Sequence, residues 1–165
     1  SQLALGDALA IASMKYKKFG KLDFKKLHPA GSLGAKLKTV EDIMITGNKI
    51  PFVSENLKTS KALKILSEKK LGILVVRDKK NKTKGIITDG QIRRVSQKNT
   101  NFQNLLVKEI MTKKPVFIDR NVLAARALAI MNNKKITSLL VCNNKKPFLT
   151  IGVIHVHTIL QSNIS

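Results

Sequence analysis

Aromatic side chains are scarce: the 165 positions hold no Trp, one Tyr and six Phe. That scarcity argues against a single-strand nucleic-acid binder, which stacks bases on aromatic platforms. With one cysteine, Cys142, no internal disulfide can staple the fold. Cys142 ends the apolar run 138–142, where a buried, inert thiol is expected rather than a nucleophile. No apolar run approaches the roughly 20 residues that span a bilayer, and no charged-then-apolar amino terminus of signal-peptide type is seen. A soluble, cytoplasmic protein without a membrane partner is therefore expected.

Acidic residues are also few, ten against 31 Lys and Arg, for a formal charge of +21. Such an excess ordinarily signals nucleic acid or an anionic membrane. Here it is nearly all Lys, with Arg only at 77, 93, 94, 120 and 126, spread over turns and helix faces among many Asn. That distribution reads as a compositional bias toward Lys and Asn as much as a binding surface, so a basic nucleic-acid binder is the weakest alternative.

What is present is an internal repeat. Val40-Glu-Asp-Ile-Met44 recurs as Val107-Lys-Glu-Ile-Met111, 67 positions on. The register then slips by two: Pro51-Phe52-Val53 answers Val116-Phe117-Ile118, Ala62-Leu63 answers Ala127-Leu128, and Leu74-Val75-Val76 answers Leu139-Leu140-Val141. A longer turn in the second copy restores the offset, pairing Gly85-Ile-Ile with Gly152-Val-Ile. Slips confined to turns are what a duplicated folding unit should show.

Each copy predicts β-α-β-β-α. An extended segment (50–53 or 116–118) leads through Asn56 or Asn121 into a helix of about three turns, with apolar residues at helical spacing. Two short apolar strands follow (72–76 and 85–88, or 138–141 and 151–155), then a helix beginning near Gln91 or Thr158. Continuously apolar strands require cover on both faces, so one unit of about 60 residues would be marginal alone and two should close on each other. The fold class is thus α/β (α+β). This pattern resembles a tandem pair of CBS domains, named after cystathionine β-synthase, in which two such units pack about a pseudo-twofold axis. The resemblance covers roughly 40–163 and implies clefts that take adenine nucleotides or other anionic ligands.

Residues 1–39 stand outside the repeat. The first residue is Ser, and 2–16 read as a helix already in progress, so a fragment of something larger is expected. Leu5-Gly-Asp-Ala-Leu-Ala10 is followed by Phe24-Lys-Lys-Leu-His28-Pro29-Ala30-Gly31-Ser32-Leu33-Gly34 and then by Val40-Glu-Asp-Ile-Met44. Three motifs in this order resemble the end of the sugar-isomerase (SIS) domain of arabinose-5-phosphate isomerases, with its GDALA helix, HPGG element and VEDIM. Downstream, Thr88-Asp89-Gly90-Gln91-Ile-Arg93-Arg94 resembles that family's TDGDLRR, and Gly152-Val-Ile-His155-Val-His157-Thr158 its GV-x-H-x-HD. The organisation implied is the end of an SIS domain over 1–39 and CBS domains over 40–106 and 107–165. The activity implied for a parent enzyme is exchange of ribulose 5-phosphate and arabinose 5-phosphate, on the way to the octulosonate sugar of lipopolysaccharide, with a sugar phosphate as substrate. It also implies a nucleotide or nucleotide-sugar effector in the CBS cleft, and a homo-oligomer in which CBS dimers build a tetrameric parent. No cofactor is called for. A stand-alone nucleotide or sugar-nucleotide binding module is the alternative.

His28 is the catalytic candidate, because the resemblance places it at the HPGG histidine and an imidazole can move a proton between carbons near neutral pH. Ala30 replaces the first Gly of that element, and the remaining catalytic groups of the family are absent, so the chain alone is expected to be inactive. Gly31-Ser32-Leu33-Gly34 could cradle a phosphate or, more simply, place Ser32 as a helix cap. In the CBS copies the ligand candidates are Thr88, Asp89, Gln91, Arg93, His155, His157 and Thr158. CBS pairs use G-x-x-T-x-x-D, whose Asp accepts both hydroxyls of a ribose. That Asp position is Gln91 in one copy and Thr158 in the other, so an adenosine-type clamp is impaired and a different anion, such as a sugar nucleotide, is favoured. A strand-end turn with surface charges reads equally well. His155 and His157, taken as an extended i, i+2 pair, would point to one side. With no third ligand evident, cleft lining or proton-sensitive packing is preferred to a metal site.

Overall fold

The computed structural model describes residues 37–162. The expected 2–16 helix, His28 and the Gly31–Gly34 turn lie outside the described residues. In chain order the elements are α1 (Val40–Ile43), β1 (Phe52–Ser54), α2 (Thr59–Lys69), β2 (Ile73–Arg77), β3 (Thr83–Thr88) and α3 (Asp89–Lys98). They continue with α4 (Val107–Ile110), β4 (Phe117–Asp119), α5 (Ala124–Lys134), β5 (Ser138–Cys142), β6 (Gly152–His155) and α6 (Val156–Gln161). After its one-turn opening helix, each copy follows the expected β-α-β-β-α order. The closing helices α3 and α6 begin two residues earlier than Gln91 and Thr158, because Thr88 and His155 already act as helix caps.

Two three-stranded sheets result, β1-β2-β3 and β4-β5-β6. In each, the first strand pairs parallel and the last antiparallel to the central one. The registers repeat as well: Val76 faces Gly85 as Val141 faces Gly152.

Successive side chains of a strand point to opposite faces, and this explains the uninterrupted apolar runs. Leu74, Val76 and Ile87 pack with Ala62 and Leu66 of α2, while Ile73, Val75 and Ile86 turn the other way. Leu139, Val141 and Ile154 likewise pack with Ala127 and Met131 of α5. Leu140 and Val153 meet Ile73 and Val75 in a third apolar cluster between the two sheets. Each sheet is therefore sandwiched between its own helices and the other sheet.

The short opening helices are exchanged. Val40 is fully buried in the cluster of the second sheet, and Val107 and Ile110 in that of the first. The amides of Val40 and Glu41 donate to the carbonyls of Val122 and Arg120, while those of Val107 and Lys108 donate to Leu57 and Glu55. Ile45 bridges Val153 just as Thr112 bridges Ile86. These contacts map onto one another under the repeat offset, as the two sides of a twofold interface must. Thr83 and Thr150, themselves equivalent, put their hydroxyl oxygens 2.6 Å apart where that axis passes.

Candidate functional site

The strand directions bring three chain segments to one end of each sheet. The starts of β1 and β2 and the end of β3 lie together, so the lead into β1, the turn at Gly72 and the start of α3 form a rim. In the second copy the lead into β4, Thr137 and the start of α6 do the same. Thr88 and His155 occupy equivalent rim positions, opposite Ile73 and Ser138.

The sequence-nominated residues sit on these rims with differing freedom. Thr88 caps α3: its Oγ1 accepts the Gln91 N–H at 3.2 Å, and its own hydroxyl hydrogen remains to be donated. Asp89 is exposed, and its amide donates to the Gly72 carbonyl. Gly72 adopts φ +70, and a Cβ there would come 3.1 Å from Asp89 Oδ2, so the carboxylate lies over a turn that favours glycine. Gln91 turns elsewhere: its Nε2 donates to the Ile110 carbonyl at 3.1 Å, and its Oε1 accepts from Arg94 at 3.0 Å. The amide that stands where a ribose-binding Asp was sought thus joins α3 to α4. Arg93 is exposed one turn along α3.

In the second copy, His155 Nδ1 accepts the N–H of His157 at 3.1 Å. The two rings stack with centroids 4.9 Å apart. The expected extended i, i+2 pairing is corrected here: His157 lies in the first turn of α6, and the rings meet because the chain bends at the cap. Burial, and then the charge of His157, hold the His155 imidazole below its ordinary value. Thr158 is partly buried, with its carbonyl accepting from Ser162 Oγ. Among the described residues no three metal-ligating side chains gather.

A cavity of about 370 Å³ opens beside β1, lined by Gly47, Asn48, Ile50, Phe52, Lys69 and Arg77 among others. The Arg77 guanidinium carbon sits 3.9 Å from the Phe52 ring centroid, which presents a flat cationic face over an apolar floor. Lys69 Nζ reaches the Asn48 carbonyl at 3.3 Å across the mouth. No carboxylate is among the lining residues, so two cations face the cavity without a counter-charge in its wall. Sequence reasoning missed these positions. The available signal was Arg77, one of five arginines, at a strand end whose equivalent in the second copy is Cys142. Cys142 is buried, and desolvation followed by the charge of Asp119 raises its thiol above the usual range, as expected of an inert thiol.

Among the described residues no helix is long and apolar enough to cross a membrane. Over 163 residues the chain is 38% identical to an arabinose 5-phosphate isomerase, KdsD, of Yersinia pestis, covering 98% of this chain and 49% of that protein. The chain thus spans about half the length of the curated relatives it matches. Among solved structures it resembles CBSX2 in complex with AMP, at TM-score 0.64 and 20% identity, covering 75% of this chain and 94% of that one. It also resembles the CBS domain pair of protein MJ0100 in complex with 5-methylthioadenosine and S-adenosyl-L-methionine, at TM-score 0.65 and 20% identity, with 75% and 94% covered. The CBS domain family matches residues 40–98 and again 107–164, the two copies that pack here about a pseudo-twofold axis, and the chain belongs to that family as a tandem pair.

Proposed function

We propose that the chain is the ligand-sensing part of an arabinose-5-phosphate isomerase, in which the paired CBS units bind an anionic nucleotide or nucleotide-sugar effector. The carrying observation is the cavity beside β1, where Lys69 and Arg77 stand with Phe52 and without a carboxylate. Such a wall suits a phosphate or pyrophosphate joined to a flat ring. The names of the relatives support the isomerase context, and the AMP and adenosyl ligands of the similar structures support the ligand class. Gln91, whose amide is engaged away from the rim, supports a sugar nucleotide over AMP. Thr88, Asp89, Arg93, His155, His157 and Thr158 line the rims in this reading. The division at 39/40 and 106/107, the assembly of CBS dimers into a larger oligomer and the catalytic part of His28 belong to the same proposal.

Two measurements test it. A coupled assay that follows arabinose 5-phosphate formed from ribulose 5-phosphate should show no turnover by this chain, and turnover would refute the division of labour. Melting followed with added nucleotide-activated octulosonate, AMP or ATP should show the largest upward shift with the sugar nucleotide. A larger shift with AMP would overturn the ligand preference.

A further inference from the structure

The two rims differ in one chemical respect. In the first copy the cap of the closing helix is the hydroxyl of Thr88, which does not titrate near neutral pH. In the second it is the Nδ1 of His155, which can accept the His157 N–H only while it carries no proton. The neighbouring imidazole of His157, stacked at 4.9 Å, would become a like charge if both rings were protonated. Beside that cap, the start of α6 is held by the Val156 amide, which donates to the Thr137 carbonyl, and by the Val156 side chain, which packs on the second core one turn before the buried Ile159.

We propose that His155 and His157 form a proton-operated latch on α6. With the rings neutral, His155 caps the helix and holds it on the sheet. Protonating His155 turns the acceptor into a second donor facing the His157 N–H, breaks the cap, and frees the start of α6 and with it the second rim. The surroundings supply little compensation. At the start of β5 the facing residues are Ser138 and, just before the strand, Thr137, whose hydroxyls do not titrate near neutral pH. On α1, packed against β6, Glu41 is paired with Arg120 and Asp42 accepts the Thr39 N–H. On α5, which packs against α6, the charged residues Arg126 and Lys134, with the adjoining Lys135, are all cations. The burial that lowers the proton affinity of His155 acts in the same direction. Its folded value lies below the 6.5 of a free imidazole, so the unfolded or opened chain binds the proton better. The latch is therefore closed above about pH 6.5 and weakens as the pH falls below that value toward the folded one.

Amide hydrogen exchange on the whole chain, corrected for the intrinsic pH dependence of exchange, reads this directly. Between about pH 7.5 and pH 5 the protection of the Ile159 and Leu160 amides should drop roughly tenfold, while α3 holds its protection because Thr88 does not titrate. His155→Thr, which copies the cap of the first copy, should keep α6 protected and flatten its pH profile. Should that variant fail to fold, His157→Gln serves instead. Removing the like charge raises the proton affinity of His155, so the midpoint of α6 opening should move to higher pH. A pH-independent α6 in the parent chain, a His155→Thr profile as steep as the parent's, or an unmoved midpoint in His157→Gln would overturn the latch.

Discussion

Gly85 and Gly152 mark where each copy is crossed by the segment exchanged from the other. A Cβ on Gly152 would lie 2.5 Å from Met44 Sδ, and one on Gly85 would lie 2.5 Å from the Thr112 carbonyl. The repeated Gly-Ile-Ile and Gly-Val-Ile were legible as equivalent strand starts, yet their need for a bare backbone was not, because the crowding residues are far off in sequence. Gly152→Ala should cost about 1–3 kcal/mol of unfolding free energy in urea titration, the usual penalty of overpacking. Gln91 shows a similar boundary of legibility. Its departure from the Asp of the resemblance was visible, but its bond to the Ile110 carbonyl required the folded chain. Gln91→Ala should lower stability by about 1 kcal/mol and leave nucleotide affinity unchanged, as measured by denaturation and by ligand titration side by side.

At the scale of elements, apolar periodicity located the helices and strands because each needs its own pattern of buried faces. The ends of the elements were harder. Caps such as Thr88 and His155 declare themselves by geometry that a run of sequence does not carry. Both central helices, α2 and α5, end on a lysine in left-handed conformation, Lys70 at φ 58 and Lys135 at φ 56. That conformation costs a residue with a Cβ about 1 kcal/mol. Lys135→Gly should then raise the melting temperature slightly, the relief at the helix end exceeding the added freedom of the unfolded glycine. An unchanged or lower melting temperature would show that Lys135 is held there by contacts of its own. The exchange of α1 and α4 was the least legible feature, since Val40-Glu-Asp-Ile-Met44 opens the first copy and packs on the second. Val40→Ala should destabilise by about 2 kcal/mol and loosen β5 and β6 before β2 and β3 in hydrogen exchange.

For the whole molecule, duplication is what the sequence declared most clearly, and the reason is thermodynamic. Each sheet has one face covered by its own helices and the other only by its twin, so the same apolar strand pattern had to occur twice. The interlocking of opening helices and the shared cluster around Val75 and Leu140 should make unfolding a single transition. The cavity beside β1 departs from the symmetry in one respect: its Lys69 has Lys134 for a counterpart, but its Arg77 has Cys142, so the guanidinium side of the wall is not repeated at the equivalent position of the second copy. Whether that wall binds an anion is decided by titration calorimetry of a nucleotide-activated sugar into the unaltered chain and into a Lys69→Ala, Arg77→Ala double variant. The unaltered chain should bind with a salt-dependent affinity and the double variant at least tenfold more weakly. Equal affinity in the two proteins, or no binding heat in the unaltered chain, would contradict such binding.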